Sequence, residues 1–92
     1  MTELFGGFGK SGIDWLLERT SLVGIGVDSL SIELGIRQQC YVHRRLTGQN
    51  KYGLECLANL EQLPARDFTV TVLPLKIAGG SGGPCRAVAL LN

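Results

Sequence analysis

With 92 residues, the chain is long enough for one small domain with a thin core, because a chain of this length buries roughly 60–65% of its extended surface. A hydrophobic content of 45% and a charged content of 18% are typical of folding sequences and argue against an intrinsically disordered chain. The formal net charge is +1, and the Lys and Arg residues are scattered, which argues against a nucleic-acid-binding surface.

The sequence also lacks the features of membrane and secreted proteins. No apolar run approaches the ~20 residues of a membrane span, and the N-terminus M-T-E-L-F-G-G has no signal-peptide core. Three cysteines, an odd number, fit a reducing compartment better than a disulfide framework. We therefore expect a cytoplasmic protein without membrane or nucleic-acid partners, whose free thiols are buried as small hydrophobes.

The first half of the chain predicts a loop, a helix and a strand. The Gly-rich segment Leu4–Gly12 predicts a loop, and Ser11 within it is a suitable N-cap for a short helix over Gly12–Arg19. The apolar run Leu22–Val27 predicts a strand covered on both faces, as in a parallel α/β sheet, with its two glycines explained by close backbone packing. The polar residues 28–35 then predict a loop.

The middle of the chain predicts three short elements. Val42–Leu46 predicts a helical turn, which the turn residues 47–50 end. Tyr52–Glu55 predicts a short strand. Leu57–Leu63 has apolar residues at helical spacing and predicts a helix that Pro64 stops.

The last third predicts a β-hairpin. Phe68–Leu75 is rich in β-branched residues and predicts a strand. Cys85–Leu91 predicts a final strand, which we expect to pair antiparallel with the first across the Gly-rich loop 78–84. There is no internal repeat, so all the elements are assigned to a single domain, 1–92.

Two side chains are the candidate metal ligands. His43 is the only histidine, and Glu55 is a carboxylate set between an apolar residue and a cysteine. Imidazole nitrogen and carboxylate oxygen suit Zn²⁺ or Mn²⁺, although two ligands fall short of the three or four that hold a catalytic zinc. Cys40-x-x-His43 with Cys56 is also a zinc half-motif, but its usual partner pair is missing because Cys85 stands apart in an apolar strand. A purely structural role for the histidine and the carboxylate is the alternative.

Four blocks carry a resemblance across the chain from Trp15 onward. They are G-V-D-S-L-S-I-E (Gly26–Glu33), Y-V-H (Tyr41–His43), G-L-E-C-L-A-N-L-E-Q-L-P (Gly53–Pro64) and V-L-P-L-K-I-A-G-G-S-G-G-P-C-R-A-V-A (Val72–Ala89). In order and spacing they resemble the C-terminal part of the cyclase family of metal-dependent hydrolases, which includes bacterial-type kynurenine formamidases and isatin hydrolases. The resemblance implies an α/β fold, a partial swivelling β/β/α-type cyclase domain with a mixed sheet and flanking short helices.

The resemblance also implies a chemistry. His43 and Glu55 match the later histidine and the later acidic residue that complete the family's metal site, and a metal-bound water there would attack the amide carbonyl of a small aromatic compound, with N-formylkynurenine the leading candidate. The family's main metal motif, H-G-T-H-x-D-x-P-x-H, is not among the 92 residues, and Glu33 stands where the family typically has Asp. We therefore expect a truncated domain that needs a second copy or a full-length relative to complete a Zn or Mn site, and we assign no catalytic residue.

A non-catalytic fragment is the alternative function. Half of an α/β sheet leaves an edge strand and an apolar face for another portion to cover, so a truncated isoform or a split half would act through self-association or through pairing with a full-length relative. Side chains near the proposed site have two interpretations each. In one interpretation Asp28, Ser31 and Asn59 line a cleft, and in the other they cap turns or lie in a solvated loop. Lys76 and Arg86 flank the Gly-rich loop, where they either steer an anionic aromatic substrate or form a solvated rim.

Overall fold

The computed structural model describes residues 7–35 and 38–92. Within them the α/β class is confirmed, because short α-helices accompany two two-stranded sheets. The chain divides into two compact units, residues 1–58 and residues 59–92, which are described separately below. Part of the predicted N-terminal loop, residues 4–6, lies outside the described residues. No helix in the described ranges is long and apolar enough to cross a membrane.

The first unit contains two helices and a parallel strand pair, in the order α1 (Lys10–Arg19), β1 (Gly24–Gly26), α2 (Tyr41–Gly48) and β2 (Tyr52–Leu54). β1 and β2 pair in parallel, with Ile25 opposite Gly53. Both strands therefore end at the same edge of the sheet, which is where loops of parallel sheets bring functional side chains together.

The predicted helices of this unit are present, but both are longer than expected. α1 begins at Lys10 with Gly9 as its N-cap, so the prediction that Ser11 caps the helix is wrong. The N–H of Ile13 already donates to the carbonyl of Gly9 at 3.1 Å, which draws Ser11 into the first turn. α2 extends the predicted turn by one residue at its start and two at its end.

The predicted strand Leu22–Val27 is shorter in the structure and less covered than expected. Only Gly24–Gly26 forms the ladder, and Val23 just before it is 64% exposed. Close packing does explain the first glycine, as expected, because a Cβ at Gly24 would lie 2.5 Å from the ring of Tyr52. The backbone pairs continue beyond the ladder, since the N–H of Val27 donates to the carbonyl of Leu54 at 2.9 Å.

Among the described residues of the first unit, six buried apolar side chains form the core, and they come from both helices, from β1 and from the loop that follows it. They are Ile13, Ile25, Val27, Ile32, Val42 and Leu46. Partly buried Phe8, Leu17, Leu22 and Tyr41 pack against this cluster. Side chains at helical spacing on α1 and α2 thus meet the parallel strands, as the hydrophobic pattern predicts.

A polar cluster joins the two helices at the surface. The carboxylate of Asp14 on α1 accepts a hydrogen bond from the hydroxyl of Tyr41 at 2.8 Å and from Nε of Arg45 at 2.9 Å. Tyr41 and Arg45 are four residues apart on α2, so they lie on one face of that helix. The ammonium of Lys10 lies 5.5 Å from the centre of the Tyr41 ring, within cation–π range.

The helix predicted over Leu57–Leu63 is wrong. The structure has only a single 3₁₀ turn, η1 (Leu60–Gln62). Asn59, immediately before it, has a left-handed φ of 66°. Because a right-handed helix needs a negative φ at each residue, the predicted helix is interrupted at Asn59. The N–H of Leu57, ahead of this turn, donates to the carbonyl of Val27 at 3.0 Å.

The predicted β-hairpin of the second unit is confirmed. β3 (Phe68–Pro74) pairs antiparallel with β4 (Cys85–Leu91), in a register that places Phe68 opposite Leu91. The N–H of Leu75 donates to the carbonyl of Pro84 at 2.9 Å and extends the ladder into the loop, where Gly79 has a left-handed φ of 73°. One face of this hairpin, here called the apolar hairpin face, contains only apolar side chains: Phe68, Val70, Val72, Pro74, Cys85, Ala87, Ala89 and Leu91.

The expectation of buried thiols is wrong for all three cysteines, which are exposed. Cys40 and Cys56 both have left-handed backbones, with φ of 60° and 58°, and lie in the turns before α2 and after β2. Cys85 belongs to β4, where every residue is exposed. Apolar neighbours in the sequence therefore do not predict burial for these three thiols.

Candidate metal half-site

The two predicted metal ligands lie next to each other. Glu55 directly follows β2, at the edge where the parallel strands end, and His43 lies in the first turn of α2. Nε2 of His43 is 3.1 Å from Oε2 of Glu55. The two side chains are 40% and 36% exposed, so the pair is open to solvent and to ligands.

A third residue, Glu33, holds the other side of the histidine. Oε1 of Glu33 accepts the backbone N–H of His43 at 2.7 Å and lies 3.0 Å from the ring Nδ1. The first N–H groups of a helix have no partner within the helix, and a carboxylate there is also favoured by the helix dipole. Glu33 therefore caps α2 from a distant loop and contacts the ring of the same residue that it caps.

The position of Glu33 is itself fixed by neighbours on both sides. Gln38 donates from Nε2 to the second carboxylate oxygen, Oε2, at 2.7 Å. The N–H of Glu33 donates to the hydroxyl of Ser31 at 3.0 Å. Because Glu33 is only 5% exposed, these contacts replace the water that a surface carboxylate would have.

The same loop also holds Glu55. The backbone N–H of Ile32 donates to Oε2 of Glu55 at 3.1 Å. Two consecutive loop residues thus hold both candidate ligands, Ile32 through its backbone and Glu33 through its side chain. The separation of His43 and Glu55 is therefore set by one short segment rather than by the two side chains alone.

Electrostatics keep Glu33 ionised. Burial raises its pKa, but the hydrogen bonds from the backbone of His43 and from Gln38 outweigh burial, and the pKa of Glu33 is lowered overall. The folded protein therefore holds a buried negative charge beside Nδ1. In the neutral imidazole, an Nδ1–H that donates to this carboxylate leaves the lone pair on Nε2, which faces Glu55.

This geometry fits two ligands of one divalent cation. Two ligand atoms that are each about 2.1 Å from a cation, at angles of about 90–110°, are about 3.0–3.4 Å apart. The 3.1 Å separation of Nε2 and Oε2 lies in that range, and it is also the length of a hydrogen bond when Nε2 carries a proton. The donor set, one imidazole nitrogen and one carboxylate oxygen, suits Zn²⁺ or Mn²⁺.

The described part of the chain supplies only half of a metal site. Among residues 7–35 and 38–92, no group of three or more His, Cys, Asp or Glu side chains is placed to hold one ion. Glu33 is close to His43 but contacts the opposite ring nitrogen, so it cannot share an ion with Nε2. Further ligands would have to come from outside this cluster.

The other residues that the sequence singled out have different positions. Ser31 supports the backbone of Glu33, and Asp28 is exposed in the same loop. Asn59 belongs to the second unit, where its carbonyl accepts the N–H of Gln62 in η1, so it serves as a turn residue. Lys76 and Arg86 are exposed on either side of the hairpin loop.

Sequence reasoning missed the roles of Glu33 and Gln38. Glu33 was noted only as a conservative difference from a family pattern, and Gln38 was not considered. The sequence does contain one signal for Glu33, because it lies between the apolar residues Ile32 and Leu34. A charged residue between apolar neighbours indicates a carboxylate that is buried and paired. The pairing with His43, ten residues away, depends on the tertiary fold.

Comparisons with known proteins agree on one group of enzymes. No protein-family model matches the chain. The chain is 36% identical over 83 residues to isatin hydrolase of Roseibium aggregatum, covering 86% of this chain and 31% of the relative. It is 32% identical over 75 residues to kynurenine formamidase of Polaromonas naphthalenivorans, covering 79% of this chain and 32% of the relative.

A solved structure agrees with the sequence comparisons. Isatin hydrolase A from Ralstonia solanacearum superposes with a TM-score of 0.84 at 34% identity, over 100% of this chain and 38% of that chain. This match supports the predicted α/β fold. The chain spans about a third of the length of the relatives that it matches.

Proposed function

We propose that this chain carries the His43–Glu55 half of a divalent metal site for amide hydrolysis. The proposal rests on its relation to the cyclase family of hydrolases, which it matches over about a third of their length. The metal is Zn²⁺ or Mn²⁺, and the substrate class is the amide C–N bond of a small aromatic compound such as N-formylkynurenine. Isatin and kynurenine compounds, which give two relatives their names, support this class. We keep the cytoplasm as the expected location.

The contact between Nε2 of His43 and Oε2 of Glu55 carries the proposal. Their 3.1 Å separation suits two ligands of one ion, and the residues around them orient both. Oε1 of Glu33 lies 3.0 Å from Nδ1 on the other side of the ring, and the backbone N–H of Ile32 donates to Glu55. When bound, a divalent ion supplies a Lewis acid and a water that is nucleophilic near neutral pH.

The half-site alone does not provide the whole reaction. A catalytic zinc keeps three protein ligands, and the described residues offer two. The sequence has a single histidine, which is proposed as a ligand, so a different group must act as the general acid–base catalyst. General acid–base groups are worth about 10²–10⁴ in rate, so we expect this chain alone to bind metal weakly and to hydrolyse amides poorly.

Calorimetric titration with Mn²⁺ tests the half-site. Mn²⁺ is the better first probe because it prefers oxygen and nitrogen ligands, whereas Zn²⁺ also binds the exposed thiols of Cys40 and Cys56. We expect weak Mn²⁺ binding that is lost in His43→Ala and in Glu55→Ala. Glu18→Ala removes an exposed carboxylate on α1 and is the matched control, for which binding should be unchanged. Equal binding by all four proteins would refute the half-site.

Self-association is the second candidate function, and the apolar hairpin face favours it. A two-stranded hairpin is marginal by itself in water, yet Val70 is 42% exposed and Leu91 is 55% exposed on this face. Exposed contiguous apolar surface is typical of protein contacts. We propose a second copy of this chain as the occupant, because two such faces are chemically alike and would pack as a four-stranded sandwich.

Sedimentation velocity over a range of protein concentrations tests association. Val70→Lys places a charge on the apolar hairpin face, and Thr71→Lys places the same charge on the opposite face of the same strand. We expect the wild-type chain and Thr71→Lys to form dimers that Val70→Lys does not form. A wild-type chain that stays monomeric at every concentration would exclude the second copy and leave a full-length relative as the partner to test.

A further inference from the structure

We infer that Glu33 is a positioning residue for His43: it holds the ring in the tautomer and orientation that present Nε2 to Glu55. The inference deepens the proposed half-site and rests on it for its functional meaning. The arrangement of carboxylate, imidazole and metal is a general device, because a carboxylate on the far ring nitrogen fixes the tautomer and raises the basicity of the ligating nitrogen. Here the geometry assigns that role to one buried side chain.

Glu33 is buried, and its two carboxylate oxygens contact different partners. At 5% exposure, a carboxylate is costly to bury unless every oxygen finds donors. Oε1 serves both the backbone N–H and the ring of His43, and Oε2 accepts from Gln38 at 2.7 Å. Each carboxylate oxygen therefore has a donor within the protein, and a rotation of the ring breaks the contact between Oε1 and Nδ1.

Backbone hydrogen bonds hold the segment that carries Glu33. Phe8 and Glu33 form a parallel bridge, in which the N–H of Phe8 donates to Ile32 at 2.8 Å and the N–H of Leu34 donates to Phe8 at 3.0 Å. Gln38 joins the same frame, because its Nε2 also contacts the carbonyl of Phe8 at 3.1 Å. The carboxylate is thus held from its backbone and from its far oxygen, so it cannot follow the ring if the ring moves.

Two carboxylates, those of Glu33 and Glu55, compete for the proton of the neutral His43 ring. Glu33 and Glu55 lie at similar distances from the two ring nitrogens, 3.0 Å and 3.1 Å. Their side chains differ in exposure, 7% for Glu33 and 36% for Glu55. Water and salt screen a buried charge less than an exposed one, so the attraction of Glu33 for an N–H is the stronger. The neutral ring therefore carries its proton on Nδ1 and exposes the lone pair of Nε2.

The single histidine makes a direct test possible. Two-dimensional ¹H–¹⁵N spectra of the neutral imidazole, recorded without metal, report the tautomer of His43 without overlap. We expect wild-type His43 to be the Nδ1–H tautomer. Glu33→Gln keeps the size of the side chain and removes the charge, and it should populate the Nε2–H tautomer. Glu18→Gln, an exposed change of the same kind, should leave the spectrum as in the wild type.

Metal affinity is the second measurement on the same proteins. Loss of such a supporting carboxylate typically lowers metal affinity about 10–100-fold, so Mn²⁺ should bind Glu33→Gln that much more weakly than Glu18→Gln. If Glu33→Gln does not fold, Gln38→Ala gives the decision, because it leaves the charge of Glu33 and removes only the donor to Oε2. For Gln38→Ala we expect a shift of the tautomer ratio in the same direction and a smaller loss of affinity.

The outcomes separate this inference from the proposed function. A tautomer that changes in Glu33→Gln while no protein binds Mn²⁺ would support the positioning role and refute the half-site. Mn²⁺ binding that is equal in wild type and Glu33→Gln, with an unchanged tautomer, would overturn the positioning role and leave the half-site standing. An Nε2–H tautomer in the wild-type protein would also overturn it.

Discussion

The two units of this chain are stabilised in different ways. In the first, among residues 7–35 and 38–58, six apolar side chains are buried, and the one buried charged residue, Glu33, is hydrogen-bonded. In the second, the hairpin has a continuous backbone ladder, but every side chain of β4 is exposed. A core fixes the positions of side chains, whereas a ladder fixes only the backbone and the register.

This difference explains where the candidate chemistry lies. A metal site requires side chains that are held within a fraction of an ångström, and rotamers locked by packing and hydrogen bonds provide this precision. His43, Glu55 and Glu33 all belong to the first unit, within reach of its core residues Ile32 and Val42. The hairpin instead leaves apolar side chains such as Val70 and Leu91 exposed.

The largest expected difference between the units is the cost of shortening a leucine. Leu46 on α2 is 0% exposed, and Leu90 on β4 is 68% exposed. Leu46→Ala should lower the free energy of unfolding by about 2–5 kcal/mol, because it removes buried methyl groups and leaves a cavity. Leu90→Ala should change it by about 0.5 kcal/mol or less. Urea unfolding followed by circular dichroism measures both.

A small domain has little stability to lose, so a milder variant supports this comparison. Ile13→Val removes one methyl group from another fully buried side chain and should cost about 0.5–1.5 kcal/mol. If Leu90→Ala were as destabilising as Leu46→Ala in dilute solution, the hairpin would contribute more packing than its exposure indicates, and the contrast between the units would fail.

A glycine pair extends the comparison to the backbone. A Cβ at Gly7 would lie far inside van der Waals contact with the backbone carbonyls of Ile32 and Glu33, whereas nothing lies within 4 Å of a Cβ at Gly82 in the hairpin loop. Gly7→Ala should displace the segment that holds both candidate ligands, lowering the melting temperature and weakening Mn²⁺ binding. Gly82→Ala should leave both unchanged. Normal Mn²⁺ binding by Gly7→Ala would mean that this segment does not set the half-site.

The features that the sequence predicted correctly depend on short-range pattern. The T-V-T-V alternation and the Gly-rich loop predicted the hairpin, because strand period and turn chemistry are local properties. The structure places His43 and Glu55, the two residues that the family resemblance singled out, next to each other although they are twelve residues apart, and their role as metal ligands stays a prediction. In both cases the information lay in neighbouring residues or in a pattern already known from other chains.

The features that the sequence did not predict depend on contacts between distant segments. The spacing of Leu57–Leu63 suggested a helix, but the left-handed backbone of Asn59 interrupts it. The cysteines have apolar neighbours, yet turns place Cys40 and Cys56 at the surface. Glu33 became a site residue only through its contacts with His43 and Gln38, which no periodicity in the sequence indicates.

The smallest expected effect is that of the surface cluster between the helices, and its sign depends on pH. Hydrogen bonds from Arg45 and Tyr41 lower the pKa of Asp14 below its ordinary value. A carboxyl group whose pKa is lower in the folded protein stabilises the fold above its unfolded pKa of about 4, and that contribution is lost as the pH falls through the folded value. Exposed pairs contribute little, so Asp14→Asn should lower the melting temperature only slightly at neutral pH.

The comparison of wild type and Asp14→Asn across pH then separates this cluster from the core. The difference in melting temperature should be constant from neutral pH down to about pH 5 and should shrink toward zero below about pH 4, because the wild-type carboxyl becomes protonated there and loses its ion pair. Glu18→Gln, an exposed change on the same helix, should show a smaller difference at neutral pH. A difference for Asp14→Asn that persists in acid would mean that the effect of the substitution does not come from the carboxylate charge.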